Sequence, residues 1–296
     1  MPAPKKWSFF TALCLLFSFH AVGAEQISFS TWNLEWLSSS PSSKFEQSQR
    51  STSDYQALNR HFSNMQSDVV AFQEVNDADA LVKVIGNDYQ LFFSQRSESD
   101  NRRHQFDDIN QYTGFAVRNG IAVSNKRDLR LDNSSNSKMR FASYIIIHPN
   151  GKQPVHALSV HLKARCSGRF NSSRDCKILK QQGRALNGWI KQREAAKNAY
   201  IILGDFNHNM GYQRDWLWDE IAQDTQATLV SKSTKAECKV RSRNNPRKTH
   251  QFRSLIDHII VSESLTASKP KQDVYPVEDV LNHQLSDHCP LSSDIR

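Results

Sequence analysis

Asn33, Glu35, Glu74, His161, Asp205, Asn207, Asp257, Asp287 and His288 recur in one pattern, a short apolar run that ends in a carboxylate, amide or imidazole. Carboxylates and amides with few sulfurs suit a hard cation such as Mg²⁺ or Mn²⁺, and Ca²⁺ takes the same donors. Glu35, Glu74 and Asp287 are the candidate ligands. His161 and His288 add groups that move protons near neutral pH. With a formal net charge of +8, the combination points to hydrolysis of a phosphodiester. Each residue alone has a plainer reading: a capped turn for Asn33, a solvated face for Glu35, a packed core histidine for His161. Recurrence of the pattern favours a site.

The elements that must position these residues are visible as short buried strands. Residues 199–203 are a continuous apolar run ended by Gly204, after which Asp205, Asn207, His208 and Asn209 follow at once. A run that short and bounded by glycine reads as a buried strand. Residues 26–32 alternate at period two and deliver Asn33 and Glu35, while 68–72 deliver Glu74. Residues 142–147 and 155–162 are two more strands, the second carrying His161 and Lys163. Residues 255–261 form a strand interrupted by Asp257 and His258. Residues 112–117 and 121–124 flank Asn119-Gly120, a hairpin signal. Helical spacing marks 54–65, with Asp54 as N-cap, and also 77–85, 176–197 and 216–221. Residues 94–108 read as a charged loop. Strands outnumber helices and follow one another directly in places, so an α+β domain of packed sheets with helices outside fits best.

At 296 residues with 38% hydrophobic and 10% aromatic content, the chain supports a sizeable core. Residues 1–24 resemble a secretory signal: Lys5 and Lys6, an apolar stretch over 7–19, and Val22-Gly23-Ala24 as cleavage site. The stretch is short for a membrane span. The domain then covers 25–296, in a protein secreted or held in the periplasm. Cys166, Cys176, Cys238 and Cys289 remain, an even number that suggests two disulfides from three possible pairings. Cys166–Cys176 is the favoured local pair, which leaves Cys238–Cys289.

The series TWNLEW, FQEV, VHLK, GDFN, LIDHI and SDHCP, covering nearly all of 26–296, resembles the endonuclease/exonuclease/phosphatase superfamily. That group includes pancreatic-type deoxyribonuclease, abasic-site endonucleases, neutral sphingomyelinases and inositol polyphosphate phosphatases. The resemblance implies a four-layer α/β/β/α sandwich of two mostly antiparallel sheets with the site at one end. It implies that Asn33 and Glu35 belong to the first motif and that Glu74 is the main metal ligand. Asp205 and Asn207 match the pair that orients water and holds a phosphate oxygen. Asp257 and His288 match a carboxylate–histidine dyad with His288 as base, and Asp287 a second metal carboxylate. His161 matches a histidine that contacts phosphate or acts as acid. No acid pairs with it from the strand of Tyr112, where Gln111 stands instead; Tyr112 is a candidate substrate contact.

Charge selects the substrate. Lys163, Arg165, Arg169, Arg174 and Lys177 follow the His161 strand, and Lys239, Arg241, Arg243, Arg247, Lys248 and Arg253 form a second cluster. Lysine and arginine near phosphates add affinity independent of sequence. Of these, Lys163, Arg165, Arg241, Arg243, Arg247 and Lys248 are the expected substrate contacts. The expected partner is nucleic acid, DNA favoured, bound by a monomer without stable membrane association. The alternative is a sphingomyelinase-like or other phosphodiesterase or phosphatase on the same scaffold, but no long apolar hairpin suited to membrane insertion is present.

Overall fold

The computed structural model describes residues 1–3, 26–132 and 134–296. Beyond its first three residues, the segment read as a secretory signal lies outside them. In chain order the first half comprises β1 (Ile27–Leu37), α1 (Thr52–Met65), β2 (Val69–Val75), α2 (Ala78–Ile85), β3 (Tyr89–Phe93), β4 (Tyr112–Arg118), β5 (Ala122–Asn125), β6 (Leu129–Arg130), β7 (Phe141–His148) and β8 (Val155–His161). The second half comprises α3 (Arg174–Ala195), β9 (Ala199–Asp205), α4 (Trp216–Ala222), β10 (Thr228–Leu229), β11 (Lys239–Arg241), β12 (Thr249–Gln251), β13 (Asp257–Val261), β14 (Lys271–Gln272), α5 (Val277–Asn282) and β15 (Leu291–Ile295).

One sheet has the order β14-β15-β1-β2-β4-β3 and the other β10-β13-β9-β8-β7-β5. Pairing is antiparallel except for β1 with β2 and β8 with β9. The alternation of β9 shows why its sequence is apolar throughout. Ala199, Ile201 and Leu203 pack between the sheets with Phe29, Ala71, Phe115 and Ile259. Tyr200 and Ile202 face the other way, against Leu179, Leu186 and Leu217 of α3 and α4. Across the sandwich Val70 and Phe72 of β2 pack under Leu58, Phe62, Leu81 and Val84 of α1 and α2. A strand covered on both faces loses the polar alternation of a half-solvated one, and the four-layer α/β/β/α expectation holds. No helix of the described residues is long and apolar enough to cross a membrane.

Three local expectations are corrected. Asn119-Gly120 is not a hairpin turn: β4 pairs with β2 and β3, whereas β5 pairs with β7 in the other sheet. The turn carries the chain across the sandwich. Ser51, not Asp54, caps α1; Asp54 is the third residue of a capping box whose carboxylate accepts the Ser51 N–H at 2.7 Å. Residues 94–108 hold two 3-10 turns that bury Arg96 and His104. Both expected disulfides form, Cys166–Cys176 and Cys238–Cys289, with Cα atoms 4.9 and 5.6 Å apart.

Gly204 is the tightest point of β9. Its φ is 150°, and an added Cβ would lie 2.0 Å from the Val160 carbonyl oxygen of the neighbouring β8. Gly204→Ala is expected to cost at least ~2 kcal/mol, read as a fall of several degrees in thermal midpoint. A variant that melts with the wild type would contradict this packing.

Candidate active site

The parallel pair β1 and β2 ends in two irregularities, between Asn33 and Leu37 and between Phe72 and Val75. Glu35, Trp36 and Glu74 there adopt φ of 43°, 53° and 57°. Left-handed backbone is costly for residues with a Cβ, and bulges of this kind re-aim side chains. The bends are held locally. Asn33 Oδ1 accepts the Glu35 N–H at 2.9 Å, and Arg50 Nη2 donates to the Glu35 and Leu34 carbonyls at 2.8 and 3.1 Å.

Asn33 joins the two sheets at this end. Its Nδ2 donates to Glu74 Oε1 at 3.0 Å and to Asp205 Oδ2 at 3.1 Å. Asp205 Oδ1 accepts the Asn207 N–H at 2.7 Å, while Asn207 Nδ2 donates to the Leu162 carbonyl at 3.1 Å. Asp257 stands opposite Asp205 in register, and His161 beside it. His288 Nδ1 donates to Asp257 Oδ2 at 2.8 Å, and its Nε2 lies 3.7 Å from Asp205 Oδ2. His161 Nε2 sits 3.5 Å from Asp205 Oδ2 and 3.6 Å from Glu74 Oε1.

The loop bearing Asp287 and His288 is stapled onto β1. Ser286 Oγ donates to the Asn33 carbonyl at 2.6 Å, and Tyr275 OH donates to the His288 carbonyl at 2.7 Å. The Asp287 N–H donates to Glu35 Oε2 at 2.9 Å, and Cys289, two residues on, is bonded to Cys238.

Burial dominates the electrostatics. It raises Glu35 well above the ordinary carboxylate range, with Asp287 adding repulsion. Glu74 and Asp205 are raised for the same first reason. Burial opposes charge on His288, but Asp257 and Asp205 outweigh it and hold the imidazole well above its usual value. His161 goes the other way: burial, Arg140 and His288 push it well below. Its Nδ1 is buried with no partner among the described residues, as expected where no acid pairs with it.

The donor set fits a hard divalent cation. Glu35, Glu74 and Asp287 supply oxygens whose mutual repulsion such an ion would relieve. Among the described residues, the groups of three with donor atoms within 4.8 Å of one another are Glu74–His161–Asp205 and Asp205–Asp257–His288. Glu74 thus belongs to a close group. Glu35 and Asp287 stand further out, one bonded to the other's backbone.

Buried carboxylates and imidazoles gather at one end of this sandwich. The profile of the endonuclease/exonuclease/phosphatase family matches residues 30–288. The chain therefore belongs to that family, whose members are metal-dependent phosphoesterases. Comparison with curated proteins finds no match. Among solved structures, D. rerio TDP2 complexed with single-strand DNA product has a TM-score of 0.62 at 18% identity, covering 92% of this chain and 99% of that one. Truncated Caenorhabditis elegans TDP2 has a TM-score of 0.59 at 18% identity, over 91% and 97%. A mannosyl-6-phosphatase of Bacteroides thetaiotaomicron has a TM-score of 0.61 at 14% identity, over 91% and 99%. At such identities these likenesses speak for the fold.

Asn33, Glu35, Glu74, His161, Asp205, Asn207, Asp257, Asp287 and His288 all converge. The basic residues divide. Arg165, Arg243, Arg247 and Lys248 are exposed. Arg241 is not free for substrate: its guanidinium donates to the carbonyls of Val280, Leu281 and His283, at the end of α5, at 2.9–3.2 Å. Lys163 Nζ is engaged by Asp175 at 2.9 Å and the Ala164 carbonyl at 3.0 Å. Tyr112 is 7% exposed, its ring centroid 5.4 Å from the Arg96 guanidinium. Two residues were missed. Arg50 fixes the Glu35 backbone from an otherwise polar loop. Arg140, just before β7, donates to the Leu162 carbonyl at 2.9 Å, and its charge bears on Glu74 and Asp205. Neither carries a local sequence signal beyond being a lone arginine.

Arg241→Ala should therefore act on stability, losing about 2 kcal/mol because three carbonyls lose a charged donor. Chemical denaturation measures this. An unchanged midpoint together with weakened polyanion binding would return Arg241 to the substrate surface.

Proposed function

We propose that this protein is a secreted phosphodiesterase that hydrolyses nucleic acid, DNA favoured, with little sequence preference, and that its catalytic domain spans 25–296. The observation that carries this reading is the placement of exposed cations against the carboxylate cluster. Arg243 Nη2 lies 3.8 Å from Asp287 Oδ2, and Arg247 and Lys248 sit on the same hairpin. Such a strip attracts a polyanion through counterion release, whatever its sequence. The DNA product held by D. rerio TDP2 supports the same direction. Two disulfides and the signal-like residues 1–24 support export.

In this reading Glu74, with Glu35 and Asp287, would hold Mg²⁺ or Mn²⁺. Such an ion, when bound, polarises the scissile phosphate. The orphaned Arg140 Nε would donate to a phosphate oxygen, and His161 would contribute a neutral hydrogen bond there. Asn207, whose Nδ2 donates to the Leu162 carbonyl and to Asp205, would hold the Asp205 carboxylate in place beside it. Asp205, fixed by Asn33 and Asn207, orients the attacking water. The proton passes to Asp205 and His288 as a pair, because His288 Nε2 lies 3.7 Å from Asp205 Oδ2 and Asp257 holds the imidazole in place. His288 alone was the expected base; its position against two carboxylates makes the pair the titrating unit. The second reading is a phosphatase of a small phosphorylated molecule, favoured by the cleft beside Glu35 and Asp287.

Two variants test this on plasmid DNA and RNA. Glu74→Gln should abolish cleavage while the fold survives, as should excess chelator on the wild type. His288→Ala should lower single-turnover cleavage by about 10²–10⁴-fold with affinity for uncleaved DNA nearly intact. Full cleavage in chelator, or loss of binding in proportion to activity, would defeat the assignment.

A further inference from the structure

A cleft of about 720 Å3 opens from Glu35 and Asp287 and is walled by the β11–β12 hairpin. The volume falls in the range of pockets that take a single small molecule. Val240 and His250 are register partners, and Phe252 follows His250 by two residues, as same-face neighbours do. All three line the cleft. The His250 and Phe252 rings meet edge to face, centroids 5.4 Å apart at 87°, and Phe252 is 40% exposed. An aromatic left in water inside a concave wall is a stacking surface without its partner. Arg243, its side chain 86% exposed, stands at the mouth.

The wall is fixed in place. Cys238 at its base is bonded to Cys289 beside His288, and Arg241 ties it to the end of α5. Gln272 Oε1 accepts the Glu237 and Cys238 N–H groups at 2.8 and 3.0 Å. A preorganised wall needs little ordering when it binds.

We propose that this cleft takes one unstacked nucleotide adjoining the scissile phosphate, its base against Phe252 and His250 and the next phosphate at Arg243. The enzyme then prefers single-stranded over duplex nucleic acid. This inference rests on the nuclease reading above and adds the form of the substrate. A sugar phosphate would fill the cleft but leave Arg247 and Lys248, outside it, without use; further phosphates of a strand employ them.

The test measures anisotropy of a labelled oligothymidylate of about ten nucleotides, free and paired in a duplex, with the full protein in excess chelator. The wild type should bind the single strand more tightly. Phe252→Ala should reduce the single-strand-to-duplex affinity ratio by about 5- to 100-fold, and Phe252→Tyr should restore it. Because Phe252 is exposed, the melting point of each variant should match the wild type. An unchanged ratio in Phe252→Ala, while the wild type cleaves plasmid DNA, would overturn the inference and leave the nuclease reading standing. A wild type that cleaves no DNA or RNA and instead releases phosphate from hexose 6-phosphate would overturn both.

Discussion

Burial of several carboxylates at one end of the sandwich is the constraint on which the rest of the structure turns. Glu35, Glu74 and Asp205 are all raised by desolvation, so ionising them in the folded state is opposed. Nearby cations answer this only in part. Arg50 and Arg140 give their hydrogen bonds to backbone carbonyls, not to the acids. Among the described residues around the cluster, His288 is both hydrogen-bonded to one carboxylate and faced by another. The uncompensated charge is what suits the end to a divalent ion and to the phosphate it would carry.

Holding like charges together requires a rigid frame, and the four layers supply it. Parallel pairing of β1 with β2 and of β8 with β9 delivers Asn33, Glu74, His161 and Asp205 to the same rim. Antiparallel β13 begins at Asp257 opposite Asp205. The disulfide at Cys289 and the hydrogen bonds of Ser286 and Tyr275 then fix the last loop, so the dyad depends on contacts from both ends of the chain.

The sequence reveals most where one physical signal acts alone. β9 is legible because burial on both faces leaves an apolar run ended by the glycine that Val160 requires. The convergence of the acids is legible because each follows such a strand. Asn119-Gly120 misleads because a tight turn looks the same whether the next strand pairs with its neighbour or crosses to another sheet. Arg241 misleads because a charge run does not say which cations meet backbone carbonyls. Arg50 and Arg140 are silent because their roles arise from distant segments meeting. The same holds for Arg96, buried among backbone and amide oxygens without an acid.

The central claim is that this carboxylate cluster opposes the fold until a hard cation relieves it. Acids whose folded values are raised favour the folded state below their ordinary range, and that contribution is lost as pH rises through the raised values. The direct measurement is thermal unfolding at about pH 8, with and without Mg²⁺, for the wild type and Glu74→Gln. The account predicts a saturable rise of about 5–10 °C for the wild type at a hundredfold excess over its dissociation constant. It also predicts a metal-free Glu74→Gln that melts above the metal-free wild type and responds little to the ion. A wild type indifferent to Mg²⁺, or a variant that gains as much from it, would contradict the account.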